Sequence, residues 1–294
     1  MMNSSFVHLA FCLHQKNKSS PYPMALAATY MSMRDRTTAR LCLHILLDET
    51  VPFVIRDCLT EMLRDGDQIV FYDVESIEIA HELGRVMGSH YSPAPIWRIW
   101  LSDYLSELDR CLLLDCDLQI LMDVEDIWRL PLGGCTLMAS RGGSWRLTQD
   151  YFDWLGIPKE LYFRMGVCLI DLQAVRESKV FASCRVEFLR EVFSKAGSMP
   201  GSYLFEQSLY NHFFALSSAS LPFELFAANG VRNNQERHRY LLKSIASGLP
   251  LILDIKGWKS DSEFCVLFWS CLLRTPWASA VQEQLKGLVS LNDP

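Results

Sequence analysis

The sequence lacks the features that would assign it to several specialised classes of protein. No stretch approaches 18 consecutive apolar residues, so no membrane-spanning helix is predicted. The first residues include neither a basic region nor a long apolar core, so we do not expect a secretory signal peptide there. The 15 Gly and 12 Pro show no period, and internal repeats are absent, which excludes collagen-like and other fibrous structures.

Motifs of several common enzyme classes are also missing. There is no G-x-x-x-x-G-K-[ST] and no G-x-G-x-x-G, so kinase, ATPase and dehydrogenase functions lack a phosphate-binding loop. There is no G-x-S-x-G nucleophile elbow and no H-E-x-x-H pair. A sugar-phosphate nucleotidyltransferase is disfavoured, because residues 13–18 after the first predicted strand contain no glycine.

Basic charge and cysteine motifs are scarce as well. The formal net charge of −6 argues against a dedicated nucleic-acid binder, which usually presents a basic face. The ten cysteines form no C-x-x-C pair and no Cys/His cluster with the spacing of a zinc site. Several lie inside apolar runs, where a thiol packs as a small hydrophobic group. We therefore expect reduced, buried thiols and a cytoplasmic-type compartment.

What is present is the composition and patterning of an α/β protein. The 294 residues are 50% hydrophobic, and a chain of this length buries about three quarters of its unfolded surface. Short apolar runs alternate with helical patterns. The predicted strands are Phe6–Leu13, Leu41–Leu47, Gln68–Tyr72, Arg110–Asp115, Thr136–Ser140, Gly166–Asp171 and Leu251–Asp254. The predicted helices are Tyr22–Met33, Val54–Arg64, Ile77–Val86, Pro95–Leu105 and Phe205–Phe214.

Two later segments have less distinctive patterns. Val231–Ser247 is polar and basic at its start, which favours a solvated connection over a loop that serves a site. After Lys259 the chain becomes apolar and aromatic, which predicts one or two C-terminal helices packed on the body. A peripheral membrane-docking surface is the alternative for this segment, although it contains few basic residues for that role.

The most informative feature is the pair Asp115 and Asp117 at the end of the apolar run CLLL. Two carboxylates separated by one residue can share a divalent cation, and their hard oxygens suit Mg²⁺, Ca²⁺ or Mn²⁺. The carboxyl ends of strands are also where open α/β sheets bind ligands. By itself the pair is a weak signal, because acidic residues at strand ends often only cap the next turn.

Other blocks of sequence strengthen this interpretation. In chain order they are PAPIWRIWL, CLLLDCDLQILMDVEDIW, YFRMGVCLIDL, FEQSLYN and LDIKGWK. The series resembles the family-8 retaining glycosyltransferases of GT-A fold, which include bacterial lipopolysaccharide galactosyl- and glucosyltransferases and glycogenin. Their pattern contains Y-x-R-L, L-Y-L-D-x-D, Y-F-N-x-G-V-x-L-I-N-L, D-Q-D-x-L-N and H-x-x-G-x-x-K-P-W. The blocks occur here in the same order over about residues 6–260.

The resemblance implies both a fold and an activity. The fold is α/β, a Rossmann-like GT-A domain over residues 1–260 with a mixed, mostly parallel central sheet, followed by a C-terminal helical extension over 261–294. The activity is metal-dependent transfer of galactose or glucose from a UDP-sugar to a saccharide, glycolipid or glycoprotein, in polysaccharide or glycoconjugate biosynthesis. No nucleic-acid partner is implied. The implied location is cytoplasmic. As an alternative, the C-terminal segment contacts the inner face of a membrane or a protein partner.

The resemblance also assigns roles to individual residues. Mn²⁺ or Mg²⁺ bridges the metal ligands to the donor diphosphate, and the catalytic residues lie beside the sugar. The implied metal ligands are Asp115, Asp117 and Asp254, and the implied catalytic residues are Gln207, Glu206 and Arg164. The implied donor-binding residues are Cys12, His14, Arg98, Cys116, Gly257 and Lys259, with Lys256 as an alternative to Lys259. Within these sets, Cys12 to His14 holds the uracil and Gln207 lies beneath the anomeric carbon.

Several positions depart from the family pattern. Asp254 replaces a histidine ligand, which makes the site harder and leads us to expect that Mg²⁺ supports activity about as well as Mn²⁺. Arg164 replaces the asparagine that contacts the donor sugar, and Lys259 comes one residue early without the following Pro-Trp. His14 stands where an aspartate is expected, and Glu206 where the pattern has the aspartate of its D-Q pair. A degenerate, non-catalytic nucleotide- or glycan-binding subunit or scaffold is therefore the alternative function.

Each of these residues also has a purely structural interpretation. An isolated arginine usually lies on a helix surface, a strand glycine allows a bend, and an acidic residue often caps a helix. A Glu-Gln pair can simply begin an amphipathic helix, and a histidine can end a strand. The arginine is Arg98, the glycine is Gly166 and the helix-capping residues are Asp123 and Asp126. The Glu-Gln pair is Glu206 and Gln207, and the histidine is His14.

Overall fold

A seven-stranded sheet forms the centre of the computed structural model, which describes residues 6–15, 20–74, 92–142, 147–195, 205–222, 225–227, 252–254, 263–279 and 282. Its strands are β1 (Phe6–Leu13), β2 (Arg40–Leu47), β3 (Gln68–Asp73), β4 (Arg110–Leu114), β6 (Leu137–Arg141), β7 (Phe163–Asp171) and β8 (Ser218–Ser220). Their order is β3-β2-β1-β4-β7-β6-β8. Only β7 runs antiparallel to its neighbours, so the mixed, mostly parallel sheet expected from the sequence is confirmed.

A second, three-stranded sheet lies beside the end of β4. It contains β5 (Leu118–Ile120), β9 (Leu225–Ala227) and β10 (Ile252–Asp254) in the order β5-β10-β9. The antiparallel register of β5 and β10 places Asp254 opposite Leu118. Two distant parts of the chain therefore meet directly after Asp117.

Helices cover the central sheet. They are α1 (Tyr22–Arg34), α2 (Phe53–Glu61), α3 (Ala94–Trp97), α4 (Leu101–Tyr104), α5 (Val124–Trp128), α6 (Gln149–Leu155), α7 (Leu172–Glu177), α8 (Lys179–Ser194), α9 (Phe205–Phe214) and α10 (Glu263–Leu272). Short 3₁₀ turns span Arg98–Trp100, Lys159–Leu161 and Ala215–Ser217. Leu9 and Phe11 pack into one buried cluster and Ala10 and Cys12 into another, so β1 is buried on both faces. This explains why its sequence is apolar except for His8.

The predicted helix Pro95–Leu105 is wrong as a single element. The structure divides it into α3, the 3₁₀ turn at Arg98–Trp100 and α4. The hydroxyl of Tyr210 donates a 2.9 Å hydrogen bond to the carbonyl of Arg98, so this carbonyl has a tertiary partner from α9. This tertiary contact coincides with the 3₁₀ turn, where the periodic pattern alone predicts a continuous helix.

Other predictions differ less from the structure or lie outside it. Helix α8 was not predicted, although its buried Phe181, Phe188, Leu189, Val192 and Phe193 follow helical spacing. The predicted helix Ile77–Val86 and the segment Val231–Ser247 lie outside the described residues. None of the nine cysteines described is in a disulfide.

The C-terminal helix α10 packs on the body of the protein. Phe268 and Leu272 are buried, and Gln119 Nε2 lies 3.8 Å from Cys271 Sγ. Just after the helix, Arg274 donates two 2.7 Å hydrogen bonds to the carboxylate of Asp35. The predicted division of the chain at residue 260, into a GT-A domain and a C-terminal helical extension, stays a prediction. Across the part of the chain that can be described, no helix has both the length and the apolarity needed to cross a membrane.

A buried ion pair joins α1 to the first strands of the sheet. The side chains of Arg34 and Asp67 are only 4% and 1% exposed and are in contact. Asp67 also accepts hydrogen bonds from the hydroxyl of Tyr30 at 2.6 Å and from the N–H of Leu41 at 2.8 Å. Because a buried carboxylate is stable only when it is fully paired, this network fixes α1 against the sheet.

We expect the substitution Asp67→Ala to lower the free energy of unfolding by about 3 kcal/mol, since it leaves the buried guanidinium of Arg34 without its carboxylate. Denaturant unfolding followed by circular dichroism measures the change. The matched control is Asp65→Ala in the same turn, where the side chain is exposed and a change below about 0.5 kcal/mol is expected. Equal effects of the two variants would contradict the role given to the network.

Candidate active site

The carboxyl ends of the parallel strands and the beginning of β7 meet at one edge of the central sheet. Asp115 follows β4 directly, and its N–H donates a 2.9 Å hydrogen bond to the carbonyl of Gly166 in β7. Asp115 and Asp117 are both buried. The edge that open α/β sheets use for ligands therefore contains the acidic pair that the sequence singled out.

Arg98 connects two carboxylates at this edge. Its guanidinium donates to Asp115 Oδ1, and its Nη1 lies 3.6 Å from Glu206 Oε1. The three side chains are 9%, 12% and 13% exposed. Burial alone would lower the pKa of Arg98, but the charges of Asp115 and Glu206 outweigh it and raise the pKa, so the guanidinium stays charged. Arg98 is therefore a buried cation in the site and not a surface arginine.

The amide of Gln207 is held between two groups at the start of β7. Its Oε1 accepts a 3.2 Å hydrogen bond from the N–H of Met165, and its Nε2 donates to the hydroxyl of Tyr162 at 2.6 Å. One turn later, Asn211 accepts from the N–H of Phe163 and donates to its carbonyl, both at 2.9 Å. Helix α9 is thus attached to β7 on both sides of the half-buried Arg164.

Helix α1 positions the turn that contains Asp115 and Asp117. The buried hydroxyl of Thr29 donates to the carbonyl of Cys116 at 2.7 Å and accepts from the N–H of Leu118 at 3.0 Å. Ser32, one turn along the helix, accepts from the N–H of Ile120 at 3.0 Å. These bonds satisfy backbone groups that would otherwise be buried without partners, and they fix the direction of the turn.

A second cluster of polar side chains lies at the ends of β1 and β2. His14 Nδ1 is 2.8 Å from Asp48 Oδ2 and 3.2 Å from Thr50 Oγ1, and the ring of His14 lies edge-on to Trp97 at 6.1 Å. Burial would raise the pKa of Asp48, but hydrogen bonds from His14 and Thr50 outweigh it and lower the pKa below its usual value of 3.8. Trp97 directly precedes Arg98, so this polar cluster adjoins the acidic site.

The two cysteines assigned to donor binding are buried. The thiol of Cys116 donates to the carbonyl of Cys12 at 3.4 Å, which joins the end of β1 to the turn after β4. Burial raises the pKa of Cys12 to about 12, although Arg98 lies close enough to oppose the shift. Both thiols are therefore protonated at neutral pH.

The structure brings together several of the residues that the sequence assigned to the site. Arg98 contacts Asp115 and Glu206, Gln207 binds Met165 beside them, and the backbone register places Asp254 beside the turn of the acidic pair. The predicted phosphate-binding residues Lys256, Gly257 and Lys259 lie outside the described part of the chain. Asp123 caps α5 by accepting from the N–H of Glu125 at 2.8 Å, which confirms its structural role.

Thr29, Asp48 and Thr50 were not predicted from the sequence. Asp48 follows the apolar strand β2 as Asp115 follows β4, and this position could have identified it.

The site fits a hard divalent cation. Its three carboxylates, those of Asp115, Asp117 and Glu206, outnumber the single guanidinium of Arg98, so negative charge is in excess. The residues suited to hold such an ion are Asp115 and Asp117.

Comparisons with known proteins identify the family and the fold. The family model described as Glycosyl transferase family 8 matches residues 12–242. General stress protein A of Bacillus subtilis (strain 168) is 27% identical over 122 residues, which are 40% of this chain and 40% of that protein. The similarity to this relative therefore spans less than half of its length.

Solved structures of glycosyltransferases share the fold. The apo form of the bifunctional glycosyltransferase WbbM has a TM-score of 0.72 and 15% identity, covering 96% of this chain and 52% of WbbM. The galactosyltransferase LgtC, in complex with donor and acceptor sugar analogs, has a TM-score of 0.71 and 18% identity, covering 93% of this chain and 99% of LgtC. GlyE of Streptococcus pneumoniae TIGR4 has a TM-score of 0.62 and 17% identity, covering 97% of this chain and 64% of GlyE. The GT-A fold expected from the sequence is confirmed.

The lowered pKa of Asp48 predicts a pH-dependent contribution to stability. We expect Asp48→Asn to reduce the free energy of unfolding by about 1.5 kcal/mol at pH 7, since the hydrogen bonds of His14 and Thr50 favour the ionised carboxylate. The difference from the parent protein should shrink as pH falls through the native pKa, below 3.8, because Asp48 is then protonated in both states. Urea unfolding at pH 7, 5 and 3 measures it.

The control for this experiment is the exposed Asp65→Asn, which should differ little from the parent at any of these pH values. A destabilisation by Asp48→Asn that stays constant down to pH 3 would contradict the assignment of a charged, hydrogen-bonded carboxylate.

Proposed function

Because the chain belongs to glycosyl transferase family 8, we propose that it transfers a hexose, galactose or glucose, from a UDP-sugar to a saccharide, glycolipid or glycoprotein acceptor. The transfer retains the configuration of the anomeric carbon. The observation that carries this proposal is the buried Arg98 between Asp115 and Glu206, next to Asp117 at the carboxyl ends of the strands. In this arrangement Asp115 and Asp117 are the carboxylates suited to bind a cation, and Glu206 is a fixed carboxylate on the other side of Arg98.

Asp115 and Asp117 are proposed to hold Mn²⁺ or Mg²⁺, with Asp254 as the third ligand. Carboxylate oxygens suit both ions, and the backbone of Asp254 lies opposite Leu118 in the second sheet. When bound, the ion supplies stabilisation of the negative charge on the departing diphosphate. The turn between the two ligands is held by Thr29, so their backbone positions are set before any ligand arrives.

Arg98 orients the acidic groups. Its hydrogen bond with Asp115 Oδ1 and its ion pair with Glu206 fix two side chains that come from distant parts of the chain. Because the three groups are largely buried, their electrostatic interactions are stronger than they would be in water. Prepositioned charges of this kind need no reorganisation during the reaction, which is how a site stabilises charge that develops in the transition state.

Glu206 and Gln207 are proposed to face the donor sugar. As the glycosidic bond breaks, the sugar gains oxocarbenium character, which a nearby carboxylate or amide oxygen stabilises. Gln207 is suited to this role because Met165 and Tyr162 fix both ends of its amide. Arg164, between the strand residues that Gln207 and Asn211 bind, is proposed to contact the sugar hydroxyls.

The uracil is proposed to bind at the end of β1, over Cys12 to His14. His14 is held by Asp48 and Thr50 and lies beside the ring of Trp97, so this pocket wall offers a polar ring next to an aromatic surface. Lys259, its rival Lys256, and Gly257 are proposed for the phosphates. The nucleotide would then extend from the ends of β1 and β2 towards the acidic pair after β4.

The alternative function is nucleotide or glycan binding without turnover, as a subunit or scaffold. It is favoured by Arg164, which places a cation where the family has an asparagine, and by the missing Pro-Trp after Lys259. Together with the transferase activity, we propose a cytoplasmic location. The C-terminal segment is proposed to contact a membrane or a protein partner.

We expect the purified protein to release UDP from UDP-glucose or UDP-galactose in the presence of Mn²⁺. Asp117→Asn should reduce this release about 100-fold or more, since it removes a charged oxygen ligand from the site that stabilises the leaving diphosphate. A coupled assay for UDP measures both rates.

The matched control is Asp126→Asn, which changes an exposed carboxylate on α5 and should leave the rate unchanged. Binding of UDP that needs no metal, together with no turnover of either donor, would instead support the non-catalytic alternative. Turnover that survives Asp117→Asn would contradict the role of the acidic pair.

A further inference from the structure

A cluster of three metal-ligating side chains lies in the first strands of the sheet, apart from the acidic site. His8 belongs to β1, and Cys42 and His44 belong to β2. One ligand atom from each lies within 4.8 Å of the other two. Within the described residues this is the one group of three or more His, Cys, Asp and Glu side chains with such geometry.

The register of the strands creates this cluster. His8 lies opposite Cys42, and Cys42 and His44 are two residues apart on one strand, so all three side chains project from the same face. Ala10 lies opposite His44, so a small side chain adjoins the imidazole. His8 precedes Cys12 by four residues, or about 13 Å along the strand, so the cluster is separate from the proposed nucleotide site.

The two imidazoles already face each other through their nitrogens. His8 Nδ1 lies 2.9 Å from His44 Nε2, and His44 Nδ1 lies 3.0 Å from the hydroxyl of Tyr72 on β3. When His44 Nδ1 donates its proton to Tyr72, the Nε2 lone pair faces the cluster and accepts from His8 Nδ1–H. A metal ion replaces that proton, and His8 then takes the tautomer protonated at Nε2. Hydrogen bonds from the second imidazole nitrogen orient histidine ligands in this way in many metal sites.

Both imidazoles are neutral near pH 7, as ligation requires. Burial lowers the pKa of His8, and burial followed by the charge of His8 lowers the pKa of His44 to about 4. Burial also raises the pKa of Cys42 to about 11, so its thiol keeps its proton until a metal ion displaces it to solvent.

From this geometry we propose that His8, Cys42 and His44 bind one Zn²⁺ ion, through His8 Nδ1, Cys42 Sγ and His44 Nε2. Zinc accepts nitrogen and sulfur ligands at about 2.0 and 2.3 Å in a tetrahedron, whose ligand atoms are about 3.3–3.7 Å apart. The side chains reach this geometry with movements of about 1 Å. The half-buried His8 leaves the fourth position open to water, and the ion connects β1 to β2.

Titration of the metal-free protein with Co²⁺ tests the proposal, because tetrahedral cobalt with a thiolate ligand has visible d–d bands and a thiolate-to-cobalt charge-transfer band. We expect both bands to saturate at one equivalent and to disappear when Zn²⁺ is added. Excess Zn²⁺, about a hundredfold above its dissociation constant, should also raise the melting temperature by about 5 °C.

Substitutions locate the ion within the fold. Cys42→Ser should abolish the charge-transfer band, and His8→Gln, which changes the half-buried ligand, should weaken Co²⁺ binding at least tenfold with the far-ultraviolet circular dichroism unchanged. The matched control is Cys111→Ser, a buried cysteine of β4 outside the cluster, which should keep the band. The double variant Asp115→Asn, Asp117→Asn should keep it as well, which separates this site from the proposed active site.

The proposal is overturned if folded parent protein binds Co²⁺ without a thiolate band, or if the band survives Cys42→Ser. It is also overturned if the Asp115→Asn, Asp117→Asn variant loses the band while its circular dichroism spectrum is unchanged. None of these results bears on the transfer of sugars, because the release of UDP is measured independently.

Discussion

The contact on which the proposed active site depends is the buried pairing of Arg98 with Asp115 and Glu206. Each residue comes from a different part of the chain, after β3, after β4 and at the start of α9. Without the guanidinium, two buried carboxylates would lose the cation that they share, and burial would oppose their charge. The pairing thus links the folding of the sheet edge to the charge distribution that the proposed sugar–diphosphate donor requires.

Much of the fold could be predicted from the sequence because the central strands are buried on both faces. Largely apolar runs identify β1, β2, β4 and β7 with small errors at their ends. Prediction failed where tertiary contacts decide the local structure. The break at Arg98 coincides with a hydrogen bond from Tyr210, which lies 112 residues later in the chain. Helix α8 was missed although its buried Phe181, Phe188, Leu189, Val192 and Phe193 follow helical spacing, so this pattern could have identified it.

The candidate site was predictable in part for a similar reason. Asp115 and Asp117 stand out because two charged groups follow an apolar strand, and Arg98, Glu206 and Gln207 were assigned from the resemblance to a family. Residues that act through register or tertiary contact carry no local pattern. Thr29 supports the acidic turn across 87 residues, and His8 meets Cys42 only because β1 and β2 pair in parallel. The sequence contains no Cys/His cluster with zinc spacing, but the sheet assembles one from two strands.

The measurement that tests the central claim most directly is a calorimetric titration of the protein with UDP, with Mn²⁺ present and after its removal by a chelator. If Asp115 and Asp117 hold a cation that contacts the diphosphate, the affinity for UDP should fall at least about tenfold when the metal is removed. Equal affinities under the two conditions would contradict the claim that these carboxylates and a cation bind the nucleotide together.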